Sequence, residues 1–167
     1  MDDFYSVSCA TSDDFDGWML LVDIVSDDFP GLVRNEYEKV LQDCISKRTA
    51  ICAKNQDRVI GLLLFSLENG TLSFLAVHPD YRGSGIATDM IKTMIRRFPQ
   101  NERISVTTYR EGDAKGEVAR KLYKKIGFIE DELVEEFDYP CQRFVFGVKG
   151  EAKNNLAQSL FFKGNIY

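Results

Sequence analysis

The residues with the clearest chemical potential run without a break from Phe74 to Ala87: Phe74-Leu75-Ala76-Val77-His78-Pro79-Asp80-Tyr81-Arg82-Gly83-Ser84-Gly85-Ile86-Ala87. An apolar stretch with strand character enters a glycine-rich turn, and the turn opens a segment with helical periodicity. The first turn of a helix presents backbone N–H groups without helical acceptors and a partial positive charge. Glycines let an anion approach that backbone closely. Arg82 is expected to add a full charge at the entrance. This combination suits a pyrophosphate. A dinucleotide-binding turn would need a third small residue where Thr88 stands, and would sit near the first strand. A P-loop would need Gly-Lys-Ser/Thr after the turn, which is absent.

Other reactive side chains are sparse. The four cysteines, Cys9, Cys44, Cys52 and Cys141, form no CxxC pair, and His78 is the one histidine, so no metal site is expected. The cysteines read as reduced, core-packing residues. His78, just before Pro79, reads as a turn residue rather than a base. The 21 basic and 26 acidic residues give a formal charge of −5, which argues against nucleic acid and favours a cationic partner. Asp2 and Asp3 stand where a signal peptide would need positive charge, and the longest apolar run, Val59 to Phe65, is too short to span a bilayer. A cytoplasmic location without membrane association is therefore expected.

The chain of 167 residues suits one domain, taken as residues 1–150. A strand is predicted at Phe4 to Cys9. Ser12 is the expected N-cap of a helix whose apolar residues Phe15, Trp18, Met19, Val22 and Val25 recur at helical spacing. A second helix carries Tyr37, Val40, Leu41, Cys44 and Ile45. Strands are predicted at Thr49 to Lys54, Arg58 to Leu67 and, after the Asn69-Gly70 turn, Thr71 to Val77. A helix with Met90, Ile91, Met94, Ile95 and Phe98 on its inner face follows the glycine turn. Ile104 to Thr108 reads as a strand and Ala114 to Ile126 as a helix, with Gly127 as its C-cap. Two last strands, Phe128 to Phe137 and Gln142 to Val148, flank a turn expected at Tyr139-Pro140. Residues 151–167 form a tail in which Leu156, Leu160 and Phe161 suggest a short helix, packed on the domain or on a second copy in a homodimer.

Two blocks of this sequence resemble the GNAT family of N-acetyltransferases. Arg82, Gly85 and Ala87 read the family's Arg/Gln-x-x-Gly-x-Gly/Ala signature at the start of a helix, after Leu75-Ala76-Val77-His78-Pro79. Ala119-Arg120-Lys121-Leu122-Tyr123-Lys124-Lys125-Ile126-Gly127-Phe128 is similar to the family's second block, at the expected separation. The resemblance covers residues 4–149 by element order. It implies an α/β fold on one mixed, largely antiparallel sheet of about seven strands with about four helices, splayed between the fourth and fifth strands. It also implies an N-acetyltransferase that takes acetyl-CoA as cosubstrate and acts on an amine of a small molecule or peptide. The alternatives are a protein lysine or N-terminal acetyltransferase and a non-catalytic acyl-CoA-binding regulatory module.

Carried over residue by residue, the resemblance assigns the pyrophosphate to the backbone amides of Arg82, Gly83, Ser84, Gly85, Ile86 and Ala87. The pantetheine arm falls to Leu75, Ala76 and Val77, where a free amide would also stabilise the thioester oxyanion. Tyr123 matches the family's general acid, which protonates the departing thiolate. The competing reading makes Tyr123 a core tyrosine at the margin of an apolar stripe of Val118, Ala119, Leu122 and Ile126. Two features depart from the family pattern. Tyr109-Arg110-Glu111-Gly112-Asp113 replaces an asparagine that contacts pantetheine, which leaves Arg110 as a candidate near CoA. The early fourth strand, Thr71-Leu72-Ser73, lacks a glutamate, so the base is open among ordered water, Glu68 and Glu117. The acceptor site implied by the family brings together Asp23, Asp27, Asp28, Glu135, Glu136 and Asp138.

Overall fold

A computed structural model describes residues 4–147; the tail expected at 151–167 lies outside the described residues. The elements follow the predicted order: β1 (Ser6–Cys9), α1 (Phe15–Val25), α2 (Arg34–Lys47), β2 (Ala50–Asn55), β3 (Arg58–Ser66), β4 (Thr71–Val77), α3 (Ile86–Ile95), β5 (Ile104–Tyr109), α4 (Glu117–Ile126), β6 (Ile129–Glu136) and β7 (Tyr139–Phe146). They build one seven-stranded sheet in the order β1-β2-β3-β4-β5-β7-β6. Every neighbouring pair is antiparallel except β4 and β5.

Two apolar layers cover the sheet. Trp18, Leu21, Val22, Tyr37 and Leu41 of α1 and α2 pack over Cys52, Leu62, Leu64, Phe74 and Ala76. Met90, Ile91 and Met94 of α3 and Ala119 and Tyr123 of α4 pack on the other face, over Ile51, Leu63, Leu75, Val77 and Val106. Phe74 anchors β4 into the first layer. Its ring lies 4.5 Å from that of Phe29 and 5.1 Å from that of Tyr37, and the Tyr37 hydroxyl accepts a 2.9 Å hydrogen bond from the Trp18 indole.

The pairing of β3 with β4 slips by one residue. Leu64 faces Phe74 and Phe65 faces Leu72, which leaves Ser73 as the extra residue of a β-bulge. The bulge explains why Leu72 and Phe74, two apart, enter opposite layers. Gly61 of β3 lets α3 lie close to the sheet. A β-carbon there would come within 2.9 Å of Ile86 Cγ2 and of Met90 Cε.

Several local expectations are corrected. Thr11, not Ser12, caps the first helical turn, sharing a capping box with Asp14. The Thr11 amide donates to Asp14 at 2.9 Å. Phe98 lies beyond α3, which ends at Ile95. The last hairpin turns at Phe137-Asp138, both with positive φ (50° and 59°), and not at Tyr139-Pro140. Left-handed backbone at both central residues matches the twist of the flanking strands. Pro140 is instead paired in the ladder with Glu135 of the edge strand β6.

Candidate active site

The parallel pair β4–β5 touches at Thr71↔Ser105, closed by a 2.8 Å bond from the Ser105 amide to the Gly70 carbonyl. Past that point, next to the Ser73 bulge, the strands separate. The remaining edge of β4, through Leu75, Ala76 and Val77, borders a gap. Its direction follows from alternation along a strand: the His78 amide donates to Ile60 of β3 at 2.8 Å, so Ala76 also addresses β3. The backbone groups of Leu75 and Val77 therefore address the gap.

At the end of β4 the chain makes a short 3₁₀ turn, Pro79–Tyr81, capped by His78. Arg82 is extended, Gly83 and Gly85 have φ of 79° and 90°, and α3 starts at Ile86. Nothing stands within 4 Å of a β-carbon added at Gly83, and only the Tyr5 hydroxyl, at 3.8 Å, meets one at Gly85. The glycines are thus required by backbone angle, and the space beside them is open. The first-turn amides of Ile86, Ala87 and Thr88 face this opening without helical acceptors. Ser84 Oγ ties the turn by donating to the Tyr81 carbonyl at 2.5 Å.

Arg82 departs from the expectation of a charge at the entrance. Its Nε donates to the Val77 carbonyl at 3.1 Å, and its Nη2 lies 3.6 Å from the Asp28 carboxylate on the connection between α1 and α2. The side chain folds back to lock the turn against β4 and the α1–α2 layer. The positive character at the opening comes from the helix end.

Tyr123 is fully buried, its ring 5.6 Å from that of Phe128 and 5.9 Å from that of Phe144. It sits at the centre of the inner stripe of α4 and not at its margin: Ala119, Arg120 and Tyr123 are the buried residues, whereas Val118 is 61% exposed. One hundred degrees per residue carries Val118 off the face on which residues 119 and 123 lie. Tyr123 shares its apolar layer with Leu75 and Val77 of the gap strand.

Arg120 has a structural role that no pattern in the sequence signals. Its guanidinium is buried and donates to the Tyr109 carbonyl (3.1 Å), to Gln142 Oε1 (2.7 Å) and to Glu130 (2.7 Å). It fastens α4 to the end of β5, the start of β6 and the middle of β7. Arg110, a candidate for the cofactor side, instead donates to the carbonyls of Cys141 (3.0 Å) and Val134 (3.1 Å) and clamps the last hairpin. His78 Nδ1 accepts from the Asp80 amide at 3.1 Å, and Nε2 lies 2.9 Å from Arg58. Burial first, and the Arg58 charge second, push its pKa down. Glu68 lies in the turn before β4, at the opposite end of that strand from the glycine turn, about 20 Å away along it; Glu117 opens α4. Of the acidic residues expected on the acceptor side, Asp23 pairs with Arg34 at 3.2 Å and Asp28 with Arg82.

Beyond the gap, Tyr109 ends β5 and Tyr139 opens β7. Their rings meet edge to face at 5.3 Å and 85°. The Tyr139 hydroxyl donates to Asp113 at 2.6 Å, which holds the carboxyl of Asp113 below its usual range. Burial pushes Tyr109 up to about 12. The Lys115 ammonium lies 5.7 Å from the Tyr109 ring centre and 5.2 Å from that of Tyr139. Among the described residues no cluster of three or more His, Cys, Asp or Glu side chains is arranged to hold a metal ion, and no helix is long and apolar enough to cross a membrane.

The fold recurs in known proteins. The chain is 22% identical to a GNAT-family acetyltransferase from Bacillus cereus ATCC 10987, with a TM-score of 0.69 over 88% of this chain and 99% of that one. Arabidopsis thaliana Naa50, solved with the bisubstrate analogue CoA-Ac-MVNAL, is 18% identical with a TM-score of 0.67, over 86% and 99% of the two chains. These two likenesses are of fold. In sequence, an uncharacterized N-acetyltransferase, ycf52 of Pyropia yezoensis, is 30% identical over 77 residues, covering 44% of this chain and 41% of the relative. The match thus spans about two fifths of that relative's length. The model of the acetyltransferase (GNAT) family matches residues 18–128, from α1 through the glycine turn to the end of the Tyr123 block. With the parallel gap pair, the bulge and the glycine turn all inside that span, the chain belongs to the GNAT acetyltransferase family.

Proposed function

We propose that the protein transfers an acetyl group from acetyl-CoA to a primary amine of a small molecule or peptide, in the cytoplasm. The observation that carries this reading is the opening of β4 from β5 beyond Thr71↔Ser105, with a glycine turn and a helix N-terminus at its end. An extended amide-bearing arm fits such an edge as an added strand, and a diphosphate fits the turn. The amides of Arg82, Gly83, Ser84, Gly85, Ile86 and Ala87 hold the pyrophosphate. The edge of Leu75, Ala76 and Val77 aligns the arm, and an amide facing the gap supports the negative charge that develops on the thioester oxygen. Tyr123 supplies a proton to the departing sulfur, whose thiol has an ordinary pKa of about 8.5. The family neighbour solved with the bisubstrate analogue CoA-Ac-MVNAL supports a peptide amine as one acceptor type.

Gly85→Glu tests the reading directly. It puts a side chain and a negative charge on a residue at φ 90° in the cradle. Calorimetric titration with acetyl-CoA is expected to show tight binding to the wild type and none to the folded variant. Equal affinities would overturn the assignment of the turn.

A further inference from the structure

We propose that Tyr109, Tyr139 and Asp113 form a subsite for a second positive charge on the acceptor, occupied in the resting protein by its own Lys115. The inference rests on the acetyl-transfer reading and narrows its acceptor to an amine that carries another cationic centre, as in a diamine or polyamine.

The strand register builds the subsite. Tyr109 faces Cys141 across β5 and β7, so Tyr139, two residues from Cys141, projects from the same face of the sheet. Val106 and Phe144, the next pair but two, enter the layer under α3 and α4, so the two tyrosines stand on the α1–α2 side. The apolar layer beneath α1 and α2 is drawn from β2, β3 and β4. Over β5 and β7 this face is half-buried at Ser105, Thr107 and Arg143, and Tyr109 and Cys141 at its end are buried. Because β4 and β5 run parallel, Val77 and Tyr109 lie at the same end of the sheet. Tyr109 thus stands at the gap end of β5 on the face opposite α3 and α4, with the Tyr139 ring beside it.

The chemistry of the subsite is that of a cation. An ammonium within about 6 Å of a ring centre is attracted to its face, and here one ammonium meets that condition at two rings, 5.7 and 5.2 Å away. Asp113 adds a carboxylate. It accepts from the Tyr139 hydroxyl at 2.6 Å and from the Lys115 amide at 3.0 Å. The first bond makes the phenol oxygen, and so the ring, more electron-rich. Lys115 is exposed, and among the described residues no carboxylate lies within salt-bridge distance of its Nζ. Its ammonium can therefore exchange the rings for water when another cation arrives. The chain's formal charge of −5 favours the approach of a polycation.

The test separates this subsite from the acetyl-transfer reading. Tetramethylammonium, a cation that cannot be acetylated, is titrated calorimetrically into protein saturated with acetyl-CoA. Lys115→Met removes the internal competitor and is expected to bind the probe about five to ten times more tightly than the wild type. Adding Tyr139→Leu should abolish the gain. If that variant does not fold, Lys115→Met with Asp113→Asn should at least halve it. In turnover, the preference for 1,4-diaminobutane over 1-aminobutane should rise in Lys115→Met. Equal probe affinity in wild type and Lys115→Met, or a gain that survives loss of the ring or the carboxylate, overturns the subsite. Failure of the wild type to bind acetyl-CoA at all would instead overturn the reading on which it rests.

Discussion

Replacing Gly61 with alanine places one methyl carbon between β3 and the start of α3. The new carbon would stand 2.9 Å from Ile86 Cγ2, 2.9 Å from Met90 Cε and 3.1 Å from Ala53 Cβ. Carbon atoms rest at about 3.5–4.0 Å, so each helix contact is short by roughly 0.6–1.1 Å. Met90 Cε ends a flexible chain and can swing away. Ile86 is the first residue of α3 and is β-branched, so relief there requires the helix end to rise by a comparable distance. Overpacking of this kind costs about 1–3 kcal/mol. At roughly 2–4 °C per kcal/mol for a chain of this size, thermal melts should register it. The same displacement lifts the first-turn amides from their positions around the glycine turn. We expect the Kd for acetyl-CoA to rise about tenfold, which is roughly 1.4 kcal/mol. The control is Ile86→Ala, which removes Cγ2. Alone it should destabilise by about 2–5 kcal/mol; combined with Gly61→Ala it should be less harmful than the sum by at least about 0.5 kcal/mol. Additive melts, or unchanged acetyl-CoA affinity in a measurably destabilised Gly61→Ala protein, would refute the claim that Gly61 sets the height of the cradle.

Tyr123→Phe keeps the ring packing against Phe128 and Phe144 and removes the proposed proton donor; kcat should fall about 10²-fold with little change in Tm, whereas equal turnover under rate-limiting chemistry would make Tyr123 a core residue alone. The Tyr139–Asp113 bond predicts a two-sided pH profile of stability. Asp113, lowered chiefly by that bond, contributes stability above its unfolded pKa that is lost as pH falls through the folded value. Tyr139, raised chiefly by the same bond, contributes stability below its unfolded pKa that is lost as pH rises through the folded value. The Tm difference between wild type and Tyr139→Phe should therefore be greatest near neutrality and shrink at both extremes; a difference independent of pH would refute the assignment.

Much of the fold was legible because it is written in short-range patterns. Alternation and helical spacing determine which face an element buries, and the order of eleven helices and strands follows from that. The misreadings occur where a local signal competes with a distant one. Pro140 looks like a turn residue, yet Phe137 and Asp138 accept left-handed backbone because the twist of β6 and β7 demands it. Val118 counts as apolar in any periodicity, but the register of α4 on the sheet leaves it exposed. Spacing placed Arg82 correctly beside the turn and misjudged where its charge goes, because the Val77 carbonyl and Asp28 are brought to it by tertiary packing.

The same distinction divides the two halves of the site. On the proposed cofactor side the binding groups are backbone amides and a strand edge. Their positions depend on glycines with positive φ, a bulge and a helix start, all encoded within a few residues of one another, so a short motif identifies them. On the proposed acceptor side the groups are side chains: the Tyr109 and Tyr139 rings and Asp113, with Lys115 seated on them. They are drawn from a strand end, a loop and the next hairpin, and only the Tyr109↔Cys141 register sets them face to face. A one-residue slip of β7 would turn Tyr139 to the other face of the sheet. Arg110 and Arg120 hold that register in place, through the Cys141, Val134 and Tyr109 carbonyls and Gln142. These two arginines are therefore positioning residues for the proposed acceptor side, although Arg110 lies outside both family blocks and Arg120 falls at a variable position of the second. On the proposed reading, altering the side chains of that hairpin while the arginine clamp is retained is expected to change the acceptor and leave acetyl-CoA binding intact.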